Sequence, residues 1–288
     1  MATLESKIDF AVILRATKAN PNGDPLNGNR PRMDYDGYGE ISDVCIKRKI
    51  RDRLTEAKDE NGKYKYSIFV QSDEKKVDDA KSLKDRVDKT LTDNLTLENA
   101  CSTWFDVRAF GQVFAFKSQS PKGKKSEDTD VLGDTGVSIP VRGPVTVQSA
   151  FSIEPIRPES LQITKSVNSE TTADGKKSSD TMGMKHRVDK AVYVFYGSIN
   201  PQLAEKTGFS RKDALAIREV LPKMFENDES SARPAGSMEV LNVIWWDHGC
   251  KEGLYSSAKV HGSLTVNADG SYSIKELDGL TPEVIKGF

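Results

Sequence analysis

Five cations crowd into seven residues of this chain, Lys47, Arg48, Lys49, Arg51 and Arg53. Closely spaced cations on one rigid element are what a phosphate backbone requires of a protein. The plainer reading is a solvated helix face, with pairs such as Asp43–Lys47 neutralising part of the charge. The turn-rich stretch before them, Asn20-Pro21-Asn22-Gly23-Asp24-Pro25, favours the functional reading. Proline fixes φ there, glycine and asparagine tolerate φ > 0, and Asp24 can fold back on its own backbone. A loop so shaped, set against a basic helix, is expected to hold something. One further arginine stands out. Arg108, in Trp104 to Gly111, is framed by apolar neighbours and needs an anionic partner or a solvent route. Arg142 opens Arg142-Gly143-Pro144 ahead of an apolar strand.

Enzyme chemistry finds no comparable constellation. The histidines are His186, His248 and His261, and no His/Cys spacing suits zinc. Asp247-His248 is an isolated pair more typical of core or surface than of a catalytic base. His186 lies beside Lys185, so RNA contact suits it better than turnover. Gly123-Lys124 lacks the upstream glycine of a P-loop, and no GxSxG or paired-carboxylate pattern occurs. The chain reads as non-catalytic, with no metal or cofactor.

The elements that must position these residues follow from periodicity. Ser42 is a good N-cap, Asp43 suits the helix dipole, and Ile46, Ile50 and Leu54 form one apolar stripe. Ile8 to Thr17 alternates as a half-buried first strand. Residues 59–100 read as a helical insertion packed on the core, with Val77, Ala80, Leu83, Val87 and Leu91 at 3–4 spacing. Residues 117–136 have the composition of a mobile loop. Val145 to Ile153 is a second strand, Val192 to Tyr196 a third and Met238 to Trp246 a fourth. A helix capped by Ser210 carries Ala214, Ile217 and Leu221, and Pro222 should kink or end it. Residues 162–186 offer no apolar pattern to anchor them and read as a projecting arm. A hairpin is expected in 255–280 around Asn267 to Gly270.

Without the insertions the order is β–α–β–β–α–β, an α+β, ferredoxin-like palm. The RNP1 aromatic pattern is missing, and the fold alone proves no function. One domain spans 1–288, with core segments 7–54, 104–116, 137–156 and 187–249.

A formal net charge of −1 excludes a uniform basic coat but not a basic groove, because the charges are segregated. Three scattered cysteines, Cys45, Cys101 and Cys250, suit reduced thiols in the cytoplasm. No apolar run approaches a membrane span, and the first residues lack a signal-peptide pattern.

NPNGDP, then PRMD, then GYGEISDVCIKRKIRD resembles the N-terminal signature of the backbone subunit of type I-C CRISPR surveillance complexes, in the RAMP superfamily. FDVRAFG and RGPV continue the likeness, which covers 7–54, 104–111, 142–156 and 181–246. The resemblance implies a subunit that polymerises along CRISPR RNA as a helical filament of copies. A thumb-like arm from a neighbour interrupts the guide, and the guide pairs with target DNA. It implies a processing nuclease and large and small subunits as further partners. It also implies that Asn20, Asn22 and Asp24 shape a loop facing the guide. Lys47, Arg48, Lys49, Arg51, Arg108 and Arg142 would meet phosphates, and Met182, Met184, Lys185 and His186 would belong to the arm. A RAMP-type endoribonuclease and a sequence-specific regulator binding single-stranded RNA remain the alternatives.

Overall fold

The structure is a computed structural model that describes residues 2–92, 94–115, 138–164 and 182–288. The expected mobile loop 117–136 and the centre of the expected arm lie outside the described residues. The chain begins with β1 (Ile8–Ala19), β2 (Gly23–Asp24), β3 (Arg30–Pro31), β4 (Tyr38–Ile41) and α1 (Asp43–Glu56). It continues through α2 (Leu83–Leu91), α3 (Leu97–Thr103), α4 (Phe105–Phe110), β5 (Gly111–Ala115) and β6 (Ser138–Arg142). Next come β7 (Val145–Val147), β8 (Ala150–Pro155), β9 (Glu159–Thr164) and β10 (Met182–Ile199). Then follow α5 (Pro201–Thr207), α6 (Arg211–Val220), β11 (Met238–Asp247), α7 (Ser257–His261), β12 (Leu264–Val266), β13 (Tyr272–Ile274) and β14 (Glu283–Lys286).

The principal sheet runs β14-β11-β1-β10-β8-β4, with β7 and β9 also paired to β10. Every pairing in it is antiparallel. β1 is central: Ile8 faces Ile199 and Ala19 faces Val188 on one side, and Ile8 faces Asp247 on the other. Half-burial was expected for this strand, yet every residue from Ile8 to Leu14 is buried. The reason is a cover on each face. On one, Phe10, Val12 and Leu14 meet the α1 stripe Ile46, Ile50 and Leu54 together with Ala214 and Ile217 of α6. On the other, Ala11, Ile244 and Trp246 lie under Val260, Leu264 and Leu280 of the C-terminal segment.

Local chemistry explains most boundaries. Ser42 Oγ accepts the Cys45 N–H and starts α1. Ser210 and Asp213 form a reciprocal capping box that starts α6. That helix ends at Val220 in a 3-10 turn over Leu221–Lys223, where Pro222 supplies no N–H. The expected second strand is two strands. Val147 faces Gly197 and Phe151 faces Val194, so one extra residue bulges between them.

The insertion departs further from expectation. Ala80 and Val87 are buried, but Val77 precedes the helix and is exposed, as is Leu83 at its start. The insertion packs on a satellite core of its own, with Val87, Phe69, Trp104, Phe114 and Val141. In the C-terminal region the expected hairpin is β12–β13. The edge strand β14, which pairs with β11, was not anticipated.

Candidate nucleic-acid interface

Most of the charge on α1 is neutralised inside the chain. Lys47 Nζ lies 2.9 Å from Asp43, and Arg48 reaches Asp52 and Glu74 at 3.7 and 3.6 Å. Lys49 is buried against Asp228, Arg51 donates to Asp106 at 2.9 Å, and Arg53 pairs with Glu56. Burial pushes the Lys49 amine below its usual range, and the Asp228 carboxylate works against that. Lys49 and Arg51, expected to meet phosphates, are instead engaged within the chain. Side chains 4% and 12% exposed, already holding buried carboxylates, serve the fold. Lys47 and Arg48 keep part of their surface.

Lys47 lines a groove of about 620 Å³ together with Arg142, Thr146, Val147, Phe110 and Val113. Arg142 is exposed and makes no ion pair among the described residues. Its position depends on two glycines at a crossing of chains. A Cβ on Gly111, where φ is +82°, would sit 2.4 Å from the Val141 carbonyl oxygen. A Cβ on Gly143 would sit 2.3 Å from that of Ala109. The FDVRAFG and RGP segments thus cross in contact that only glycine permits, and the crossing sets Arg142 beside Phe110.

The remaining candidates lie elsewhere. Arg108 finds its anionic partner within the chain: Nη2 is 2.8 Å from Asp213 Oδ1, and the guanidinium lies over the Phe105 ring. It lines a separate cleft of about 650 Å³, not the Lys47–Arg142 groove. The side chains of the turn-rich loop hold the loop itself. Asn20 Nδ2 donates to the Asn29 carbonyl at 2.7 Å, and Asp24 Oδ1 accepts the Leu26 N–H. Asn22 Oδ1 accepts both the N–H and the hydroxyl of Ser42 at 3.0 Å, tying the loop to the start of α1.

β9 and the first turn of β10 form a two-stranded ribbon, with Met182 opposite Thr164 and Arg187 opposite Glu159. The ribbon begins at Glu159, three residues before the segment expected to be an arm. Met182 and Met184 are exposed on it, not packed on the sheet. Lys185 faces Leu161 across the ribbon. His186 is buried, its Nδ1 2.8 Å from the Ser160 hydroxyl.

Two features escaped the sequence. Asp106 gathers Arg51 and the N–H groups of Phe69 and Val70 around one buried carboxylate. Asp9 is buried beneath the C-terminal cover, with His248 Nε2 at 2.9 Å and Lys7 Nζ at 3.3 Å. His248 Nδ1 accepts the Leu254 N–H, which leaves its proton on Nε2, facing Asp9. The alternation of Ile8, Phe10 and Val12 with Asp9, read as a half-buried strand, gave no hint of a buried charge.

The profile of the family described as CRISPR-associated protein Cas7 matches residues 6–281. The chain belongs to the Cas7 family. The CRISPR-associated protein Cas7 of Haloferax volcanii is 25% identical over 295 residues, covering 99% of this chain and 82% of that protein. Two solved structures are similar at 16% identity. One, a CRISPR RNA-guided surveillance complex, pre-nicking, covers 83% of this chain and 75% of its own at a TM-score of 0.46. The other, a CRISPR RNA-guided surveillance complex, covers 83% and 68% at 0.42. Cas7 backbone subunits are non-catalytic. In this Cas7 chain, His248 and His186 hold the fold and the ribbon base. No helix among the described residues is long and apolar enough to cross a membrane.

Proposed function

We propose that this Cas7 chain is the CRISPR RNA-binding backbone subunit of a type I-C surveillance complex, polymerising along the guide and presenting it to target DNA. The observation that carries the reading is the groove lined by Lys47 and Arg142 together with Phe110, Val113 and Val147, in which the arginine makes no ion pair among the described residues. Such a groove suits phosphates along its rims and sugars or bases on its floor. Its cations are few, so binding draws on successive copies rather than on one strongly basic surface.

Two further features support the finer parts. The sheet order β11-β1-β10-β8, crossed by α1 and α6 on one face, supports a ferredoxin-like palm. Its other face is closed by the C-terminal segment, so the guide lies across the helix side and not on the sheet as in RNA-recognition modules. The ribbon of β9 and β10, with exposed Met182, Met184 and Ile163, suits a thumb. The type I-C assignment rests on NPNGDP, PRMD and GYGEISDVCIKRKIRD. A processing nuclease and large and small subunits are the partners that assignment brings, and the cytoplasm is its compartment.

The test is purification of the chain with its nucleic acid, followed by binding to unrelated single-stranded RNAs over a range of salt. Binding is expected to ignore sequence. Lys47→Ala with Arg142→Ala should flatten the log K against log salt slope by about 0.7 for each lost phosphate contact. An unchanged slope removes the groove from the interface. Tight binding to one motif alone makes the protein a sequence-specific regulator instead.

A further inference from the structure

Two turns beside the turn-rich loop display apolar side chains to solvent in a way no intramolecular contact explains. Leu26, at the tip between β2 and β3, is 99% exposed, and Tyr35, in the turn before β4, is 109% exposed. Neither turn is loose. The first is closed by the Asp24 cap and by Asn29 N–H donating to the Asp24 carbonyl at 2.8 Å. In the second, Asp34 Oδ1 accepts from the N–H groups of Asp36 and Tyr38 at 3.0 and 2.8 Å. Rigid turns that hold a leucine and a tyrosine outward present them to a partner.

Charge selects the class of partner. Residues 20–41 carry Asp24, Asp34, Asp36 and Glu40 against Arg30 and Arg32. Tyr35 lies between two of those carboxylates. A phosphate backbone is repelled by such a tip, whereas a surface bearing lysines without ion pairs attracts it. One is present on the same chain. The cleft of about 650 Å³ that holds Arg108 is also lined by Lys65, Tyr66, Lys206 and Lys212. Its Asp213 is paired with Arg108 and its Glu205 with Lys251. Lys65, Lys206 and Lys212 make no ion pair among the described residues, and of the lining carboxylates only Glu98 shares that condition.

The two features cannot meet within one molecule. The tips follow Ala19, at one end of β1, while α5 and the cleft follow Ile199, which faces Ile8 at the other end. Twelve residues of strand separate those ends by roughly 37 Å. Complementary surfaces at opposite ends of one chain make a heterologous contact, which repeats into a filament rather than closing a dimer. We infer that the Leu26 and Tyr35 tips of one copy dock into the Lys65–Lys206–Lys212 cleft of the next. This rests on the filament reading above and names the surfaces that would propagate it.

The experiment uses two variants of the full chain. One carries Leu26→Ser, Tyr35→Ser and Asp36→Lys; the other carries Lys65→Glu, Lys206→Glu and Lys212→Glu. All six side chains are exposed, and a thermal melt checks that each variant folds. The single changes Tyr35→Ser and Lys212→Gln stand in for a variant that does not. Native mass spectrometry with a single-stranded RNA of guide length reads the assemblies. Wild type should give a cooperative ladder of copies, and each variant alone should lose that ladder. An equal mixture should restore pairs and nothing longer, because each pair joins the one intact tip to the one intact cleft. A variant that keeps the wild-type ladder overturns the inference, as does a mixture no better than its parts. Loss of affinity by the tip variant for an RNA long enough for only one copy would make the tips RNA contacts, and also overturns it. Wild type that stays monomeric with and without RNA defeats the filament reading itself, and the docking with it.

Discussion

Arg51 donates its Nε–H to Asp106 at 2.9 Å, joining the basic helix α1 to the segment that leads into the groove. Asp106 is 1% exposed and also accepts from Phe69 N–H at 2.6 Å and Val70 N–H at 3.0 Å. One carboxylate thus ties together α1, α4 and the start of the insertion. Asp106→Ala would leave a buried guanidinium and two backbone donors without an acceptor. The expected loss of stability is about 3–5 kcal/mol, read from urea unfolding. Asp106→Asn, which keeps an acceptor oxygen but not the charge, should lose less, and equal losses would show that the charge alone carries the contribution.

The crossing of Gly111 and Gly143 carries a second expectation. Gly111→Ala places a methyl 2.4 Å from a carbonyl oxygen at a φ of +82°, so the two chains must part. Stability should fall by more than about 1 kcal/mol. RNA affinity should fall with it, because Arg142 moves away from Lys47. A stable Gly111→Ala protein with unchanged affinity would disconnect the crossing from the groove.

Acid should loosen the C-terminal cover. Burial alone would raise the Asp9 carboxyl. The hydrogen bond from His248, with His261 3.3 Å away and the charge of Lys7, outweighs it and holds the group well below the usual carboxylate range. A depressed folded value stabilises the protein at every pH above the unfolded value, near 3.8. That contribution is lost as pH falls from there through the folded value. Asp9→Asn should be less stable than wild type at neutral pH, and the gap should narrow below about pH 4. Melts from pH 7 down to pH 3 measure it, and a constant gap would assign the effect to packing.

Cys101 should resist alkylation in the native protein. It is buried, and burial pushes its thiol up to about 11, against the lowering effect of the Arg108 charge. Little thiolate exists at pH 8. Iodoacetamide should label Cys101 only as the protein unfolds, which peptide mapping across a urea series can follow.

Period-two alternation made β1 and β11 readable, and the turn residues of Asn267 to Gly270 made the β12–β13 hairpin readable. The stripe Ile46, Ile50 and Leu54 was equally plain, and all three are fully buried. What neighbours on the chain could not reveal was where the cations of α1 would find their partners. Asp106 lies 55 positions from Arg51, and Asp228 lies 179 positions from Lys49. A charge run looks the same in sequence whether it faces solvent, RNA or a carboxylate folded onto it from afar. Arg142 differs from these cations in that no acid reaches it among the described residues. The cover on the sheet was missed because its apolar residues, Val260, Leu264 and Leu280, are few and widely spaced.

The central place of β1 has a consequence for how the molecule is born. The strand IDFAVILRATKA is made early, yet its sheet partners β10 and β11 are made late, and the contact of Asp9 with His248 spans 239 positions. At ordinary rates of synthesis the strand waits on the order of ten seconds or more before either partner leaves the ribosome. Throughout that interval an apolar strand with both edges unpaired is open to other chains. A nascent chain of this topology is a natural client for a chaperone that shields extended apolar segments.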